Sequence, residues 1–276
     1  MQSGQPSRTA LGAAAHRAAH QALENGRIFR DPLAAQILGL SEADVAAQAR
    51  PDGKGLRLFI AARSRFAEDA AARAYDRGVR QLVVLGAGLD TFAYRNPHAD
   101  LVVFEVDHPA TQAWKRARLA EAAIAIPPSM RFAPVDFERV GLADGLAEAG
   151  FDATAPAVFV WLGVVPYLTE PAVFATLTVI AGMPAGTEVV FTYSDPPSAM
   201  SPRERAGRNA TAARVAAAGE PWITHFHPGP LHARLRKLGF REIEDLGPAE
   251  VAILYFGARP GAPDRKGGHL IRARVG

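Results

Sequence analysis

The sequence has no cysteine among its 276 residues. That absence excludes disulfides, thiolate catalysis and cysteine-based metal sites together. No apolar run approaches the ~18 residues that a membrane-spanning helix requires. The opening segment lacks a secretory hydrophobic region, because His16, Arg17 and His20 interrupt its alanines. The expected location is therefore cytoplasmic, with no membrane partner. Excess charge of one sign is also missing: the formal net charge is +3, and clusters such as Arg203-Glu204-Arg205 mix signs. With no Lys/Arg block interleaved with aromatics, a nucleic-acid partner is not expected. The serine-hydrolase elbow, the zinc-protease HExxH pair and the phosphate-binding P-loop are all absent. His225 and His227 have no third ligand nearby in sequence, so no metal is expected.

Hydrophobic residues make up 49% of the chain, enough for a sizeable core and against general disorder. Residues 1–8 are expected to be disordered, and about seventy residues of helix follow before the first strong strand. Thr9 is a candidate N-cap for a helix over 9–25 that Gly26 stops, and Asp31-Pro32 restarts the chain as a second helix. A short helix is expected over 41–49, broken by Pro51-Asp52-Gly53, and a long one over 54–77, with apolar residues near a 3.6 period and Gly78 at its end. Beyond it, strands are predicted at 81–85, 101–105, 131–135, 157–161 and 188–193, and helices at 91–94, 109–123, 140–149 and 170–181. Alternation of this kind implies a mostly parallel, doubly wound sheet. An Ala/Arg-rich helix over 201–218 and another over 230–238 follow. Residues 240–246 and 251–257 read as a terminal antiparallel strand pair, and the tail from 259 reads as loosely ordered, apart from a short extended piece at 270–275.

The chemistry concentrates at the carboxyl ends of the strands. Leu82–Leu85 runs into Gly86-Ala87-Gly88, then Asp90 and Thr91. This predicts a buried strand turning tightly into a helix, with both glycines letting backbone approach a ligand. Asp107 follows about 20 residues later at the end of the next strand, roughly the spacing at which an acid meets a ribose hydroxyl. It is the lead ribose candidate, Glu105 is a second, and a helix N-cap before Pro109 is the alternative role for Asp107. Thr91 stands where a dinucleotide fingerprint would have its third glycine. Asp90 would oppose a diphosphate at a helix N-terminus and tolerate a cationic ligand. Together they favour a nucleoside carrying positive charge, such as a sulfonium, over a nicotinamide dinucleotide. Asp136 and Phe137 are candidates for the adenine amino group and ring, with a solvated loop as the alternative. Of Arg63 and Arg65, two apart on a helix, one must face solvent; the other can pair with a ligand carboxylate. Tyr167 is the polar handle of the apolar segment 160–168, and His225 and His227 are candidate bases.

These pieces resemble the leucine carboxyl methyltransferase family, in its bacterial branch of polyketide-type and uncharacterised O-methyltransferases. The resemblance is carried by Ala62-Arg63-Ser64-Arg65 with Asp69, by Leu85-Gly86-Ala87-Gly88-Leu89-Asp90-Thr91 with Tyr94-Arg95, and by Phe104-Glu105-Val106-Asp107-His108-Pro109 with Lys115. Val135-Asp136-Phe137, residues 161–168 and Gly219-Glu220-Pro221-Trp222 add to it. It implies an α/β class I methyltransferase fold, Rossmann-like and doubly wound, with a seven-stranded, mostly parallel sheet and an antiparallel terminal strand. It also implies S-adenosyl-L-methionine as cofactor, S-adenosyl-L-homocysteine as product, and O-methylation of a small-molecule acceptor. In domain terms, 9–78 would be a helical cap packed on the core, 79–258 the methyltransferase domain with a cap insertion at about 198–230, and 259–276 a tail. By resemblance, Arg63 binds the methionine carboxylate, Gly86 and Gly88 line the methionine and ribose, and Asp107 holds the ribose; Ala87 and Asp90 join them as cofactor-binding candidates. Asp136 and Phe137 meet adenine, and Leu162 and Gly163 lie beside the cofactor. Leu162 and His20 replace a glutamate and a lysine of the phosphatase-directed members, which turns the expectation away from a phosphatase tail as substrate. A catalytically silent cofactor- or partner-binding relative and an NAD(P)-dependent oxidoreductase are the alternatives.

Overall fold

The computed structural model describes residues 8–49, 53–135, 141–217, 219–261 and 265–276. The expected disorder of residues 1–7, the break at Pro51-Asp52, and the candidates Asp136 and Phe137 lie outside them. The chain divides into two compact units, Met1–Glu68 with Arg80–Phe151 and Asp69–Val79 with Asp152–Gly276.

The first unit begins with helices α1 (Arg8–Glu24), α2 (Leu33–Leu38), α3 (Glu42–Gln48) and the start of α4 (Lys54–Asp76). Ser41 caps α3 through a reciprocal box with Asp44, satisfying two otherwise orphan donors. The strands are β1 (Gln81–Leu85), β2 (Val102–Asp107) and β3 (Met130–Pro134), with α5 (Pro109–Glu121) and α6 (Leu142–Glu148). All five residues of β1 are buried, Gln81 together with the apolar run Leu82–Leu85, as a strand covered on both faces requires. β1 pairs with β2, and β2 with β3, in parallel register. Where a helix was expected after the glycine turn there is only a three-residue 3-10 turn, Phe92–Tyr94.

The second unit holds the end of α4, then β4 (Val158–Trp161), α7 (Glu170–Ala181), β5 (Glu188–Ser194), α8 (Pro202–Ala217), α9 (Pro228–Leu238), β6 (Phe240–Leu246), α10 (Pro248–Phe256) and β7 (Gly268–Val275). The strands form a seven-stranded sheet of order β3-β2-β1-β4-β5-β7-β6. β4 runs parallel to β5, while β7 lies antiparallel between β5 and β6.

Two expectations at the C-terminus are corrected. Residues 251–256 are helix, not strand: Pro248 sits in the first turn with Glu250, and Gly257 ends the helix at φ 71°. The partner of β6 is instead the supposed tail, whose Leu270, Ile271 and Ala273 are fully buried. Its outward Arg272 and Arg274 meet Glu188, Glu244 and Glu242, which explains how so charged a segment holds an inner position. Buried His269 links it further, with Nε2 3.1 Å from Asp195 Oδ2 and Nδ1 3.0 Å from Asp245 Oδ1. Burial alone would lower the His269 pKa. The two carboxylates prevail and raise it, so the imidazolium is the paired form.

Candidate active site

The glycine turn of the first unit is held from both sides. Gly86 and Ala87 N–H both donate to the Val106 carbonyl, at 2.9 and 3.1 Å. Gly88 N–H donates to Asp107 Oδ2 at 2.7 Å, and His108 N–H to Asp107 Oδ1 at 2.7 Å. Each Asp107 oxygen therefore retains acceptor capacity beyond its backbone bond. Burial raises the Asp107 pKa, with those N–H donors opposing it. A carboxylate short of water and still able to accept two hydrogen bonds suits a vicinal diol. The N-cap role goes to His108, whose Nδ1 accepts from Ala110 N–H.

The two glycines differ in purpose. Gly86 is exposed with φ 65° and leaves backbone open at the end of β1. Gly88 (φ 46°) is buried, and a Cβ there would lie 2.9 Å from the Ala10 Cβ of α1. Gly88 thus admits a helix, whereas Gly86 leaves exposed backbone. Half-buried Asp90 accepts from Phe92 N–H at 2.8 Å, closing the turn.

Glu105 is removed from the ribose role. It is fully buried, with Oε2 2.7 Å from Lys115 Nζ and accepting from the Tyr94 hydroxyl at 3.0 Å. On α4, Arg65 is exposed and Arg63 half-buried, which separates the two arginines as helix geometry requires. His20 lies within the first unit. It is fully buried, accepts from Ile28 N–H and contacts Glu24, whose carboxylate pairs with Arg57.

Sequence reasoning missed an ion network behind the turn. Asp31, read only as a helix cap, is fully buried. It accepts from Arg17 Nε at 2.7 Å and from the Thr91 hydroxyl at 2.7 Å. Arg17 Nη2 also donates to the Leu89 carbonyl at 2.6 Å, and Arg95 joins Thr91 to Glu68. Thr91 stands at the missing third glycine because its hydroxyl anchors the turn to this network.

In the second unit, Gly163 follows β4 with φ 71°, and its N–H donates to Thr192 Oγ1 at 2.9 Å. Leu162 and Tyr167 are half-buried nearby in sequence. The candidate bases separate: His227 is the exposed N-cap of α9, whereas His225 is half-buried. Arg208 Nη2 lies 2.6 Å from His225 Nε2, and Ser194 Oγ 3.1 Å from Nδ1. Arginine only donates, so Nε2 accepts and Nδ1 carries the proton. Burial, then the Arg208 charge, lowers the His225 pKa, which keeps the ring neutral.

This strand order, with its antiparallel β7, defines a class I methyltransferase fold. A solved "putative methyltransferase" from Thermobifida fusca superposes with a TM-score of 0.59 at 18% identity, covering 99% of this chain and 96% of that one. A DUF574-family protein from Streptomyces avermitilis gives 0.54 at 18% identity, covering 95% and 97%. The leucine carboxyl methyltransferase family model matches residues 10–181, and the chain belongs to that family. It is 30% identical to "Putative S-adenosyl-L-methionine-dependent methyltransferase YktD" of Bacillus subtilis, over 94% of each chain. A Mycobacterium avium relative named for the same activity is 32% identical over 87% of this chain and 80% of its own length.

Proposed function

We propose that this family member transfers a methyl group from S-adenosyl-L-methionine to an oxygen of a small-molecule acceptor, a carboxylate or a hydroxyl. The observation that carries the cofactor assignment is Asp107, desolvated at the end of β2 and braced by the Gly88 and His108 amides. In this reading Asp107 takes the two ribose hydroxyls as donors in place of water. Gly86 and Ala87 present backbone to the ribose and methionine, and Asp90 supplies negative charge suited to a cationic ligand. Arg63 pairs with the methionine carboxylate, and Leu162, Gly163, Asp136 and Phe137 complete the cofactor set that the family resemblance implies.

When bound, the cofactor supplies a methyl group already activated on a sulfonium. The protein's work is then to hold, align and keep water away. A carboxylate acceptor needs no base. For a hydroxyl acceptor, His225 Nε2 is engaged by Arg208, so proton removal would require that contact to open. Calorimetric titration with S-adenosyl-L-homocysteine tests the assignment: saturable micromolar binding is expected, and no binding at high micromolar concentration overturns it.

A further inference from the structure

A guanidinium withdrawn from water normally meets a carboxylate, because an unpaired buried charge is costly. This chain follows the rule widely: Arg17 meets Asp31, Arg57 meets Glu24, Arg95 meets Glu68, and Arg272 meets Glu188 and Glu244. Half-buried Arg208 on α8 does not. Its Nη2 donates to His225 at 2.6 Å and its Nη1 reaches Asn209 Oδ1 at 3.3 Å. Its buried Nε has no acceptor, and among the described residues it forms no ion pair. Burial lowers its pKa, with no carboxylate acting against that shift.

The surroundings are built to hold this group still. The Arg208 guanidinium carbon lies 5.6 Å from the centre of the Trp222 ring. Neutral His225, braced by Ser194 at the end of β5, fixes one nitrogen without cancelling the charge. Ile223 beside Trp222 is 53% exposed, unusual for so large an apolar residue. Ile223 and Thr224 N–H both donate to the Pro166 carbonyl, at 2.8 and 3.2 Å, just beyond β4. The cluster therefore gathers at the carboxyl ends of β4 and β5, where open α/β sheets receive ligands.

We propose that Arg208 is a specificity-determining anchor that grips a carboxylate on an apolar acceptor, with Trp222 and Ile223 as the adjoining wall. The unused Nε–H is a donor awaiting an acceptor, and arginine's planar fork suits a carboxylate. This assignment rests on the methyl-transfer reading, and the test separates the two. With S-adenosyl-L-homocysteine at saturation, benzoate, 2-naphthoate and anthracene-2-carboxylate are titrated into the full chain, each beside its neutral carboxamide. At least one acid should bind about tenfold or more tightly than its amide. Arg208→Met should abolish that preference, and Arg208→Gln serves if the methionine variant does not fold. Because α8 buries no residue, both variants should fold, with a cooperative unfolding transition as the check. The anchor is overturned if no acid outbinds its amide, or if the preference survives in a folded Arg208 variant. Failure of S-adenosyl-L-homocysteine to bind wild type would instead overturn the methyl-transfer reading.

Discussion

Replacing Asp31 by alanine would strand a charge inside the first unit. Arg17 is 7% exposed and Asp31 is 0% exposed, with the Arg17 Nε 2.7 Å from Oδ2. Breaking a buried pair by removing one partner costs ~3–5 kcal/mol, most of it from the uncompensated survivor. The Thr91 hydroxyl, also fully buried, loses its acceptor as well. A loss of about 4 kcal/mol is a large share of the ~5–15 kcal/mol that stabilises a typical protein. For a chain of this size it would lower the melting temperature by roughly 10 °C. Urea unfolding followed by circular dichroism reads it directly. The double replacement Asp31→Leu with Arg17→Met removes both charges and should recover more than half of the loss. There is a pH signature too. Burial would raise the Asp31 pKa, but Arg17, then Arg95, and the Thr91 hydroxyl hold it below the usual value. Its stabilisation is therefore present above about pH 4 and is lost as pH falls through the lower folded value. A single-variant loss under about 1 kcal/mol would refute the reasoning, since it would make Asp31 an ordinary cap.

Two further outcomes follow from the geometry. Gly88→Val places a branched side chain at φ 46°, against Ala10 of α1 at 2.9 Å; it should destabilise by ~2 kcal/mol or more, read by thermal unfolding, and equal stability would contradict the close approach of α1. For His269 the folded pKa is raised, so its stabilisation is full below about pH 6.5 and is lost as pH rises through the folded value. Stability measured from pH 6 to 9 should fall in wild type and flatten in His269→Gln; parallel profiles would exclude the charged clamp.

The sequence and the structure part where tertiary context decides. β1 and α7 were legible to the residue: β1 because burial on both faces leaves the apolar run Leu82–Leu85 after Gln81, α7 because Thr169 caps it and Pro171 sits in its first turn. Helix α10 was misread because Val-Ala-Ile-Leu-Tyr-Phe is apolar enough for a buried strand; the deciding signals were Pro248 and Gly257 at its ends. β7 was legible only as a short extended piece at 270–275; its inner position was not, because its arginines become compatible with one only once Glu188, Glu242 and Glu244 stand beside them. At the candidate site, the place of Asp107 at the end of β2 was readable because strand, turn and spacing are local features. The Arg17–Asp31–Thr91 network was not, because its members lie 14 and 60 residues apart in the chain. Arg208 was invisible for a related reason: what marks it is the carboxylate it lacks.

The central claim is that Asp107 holds the cofactor ribose, and calorimetry with S-adenosyl-L-homocysteine on wild type and Asp107→Ala measures it most directly. Losing a charged acceptor of two hydroxyl donors should weaken binding by roughly tenfold to a hundredfold. Unchanged affinity in a folded Asp107→Ala protein would contradict the account.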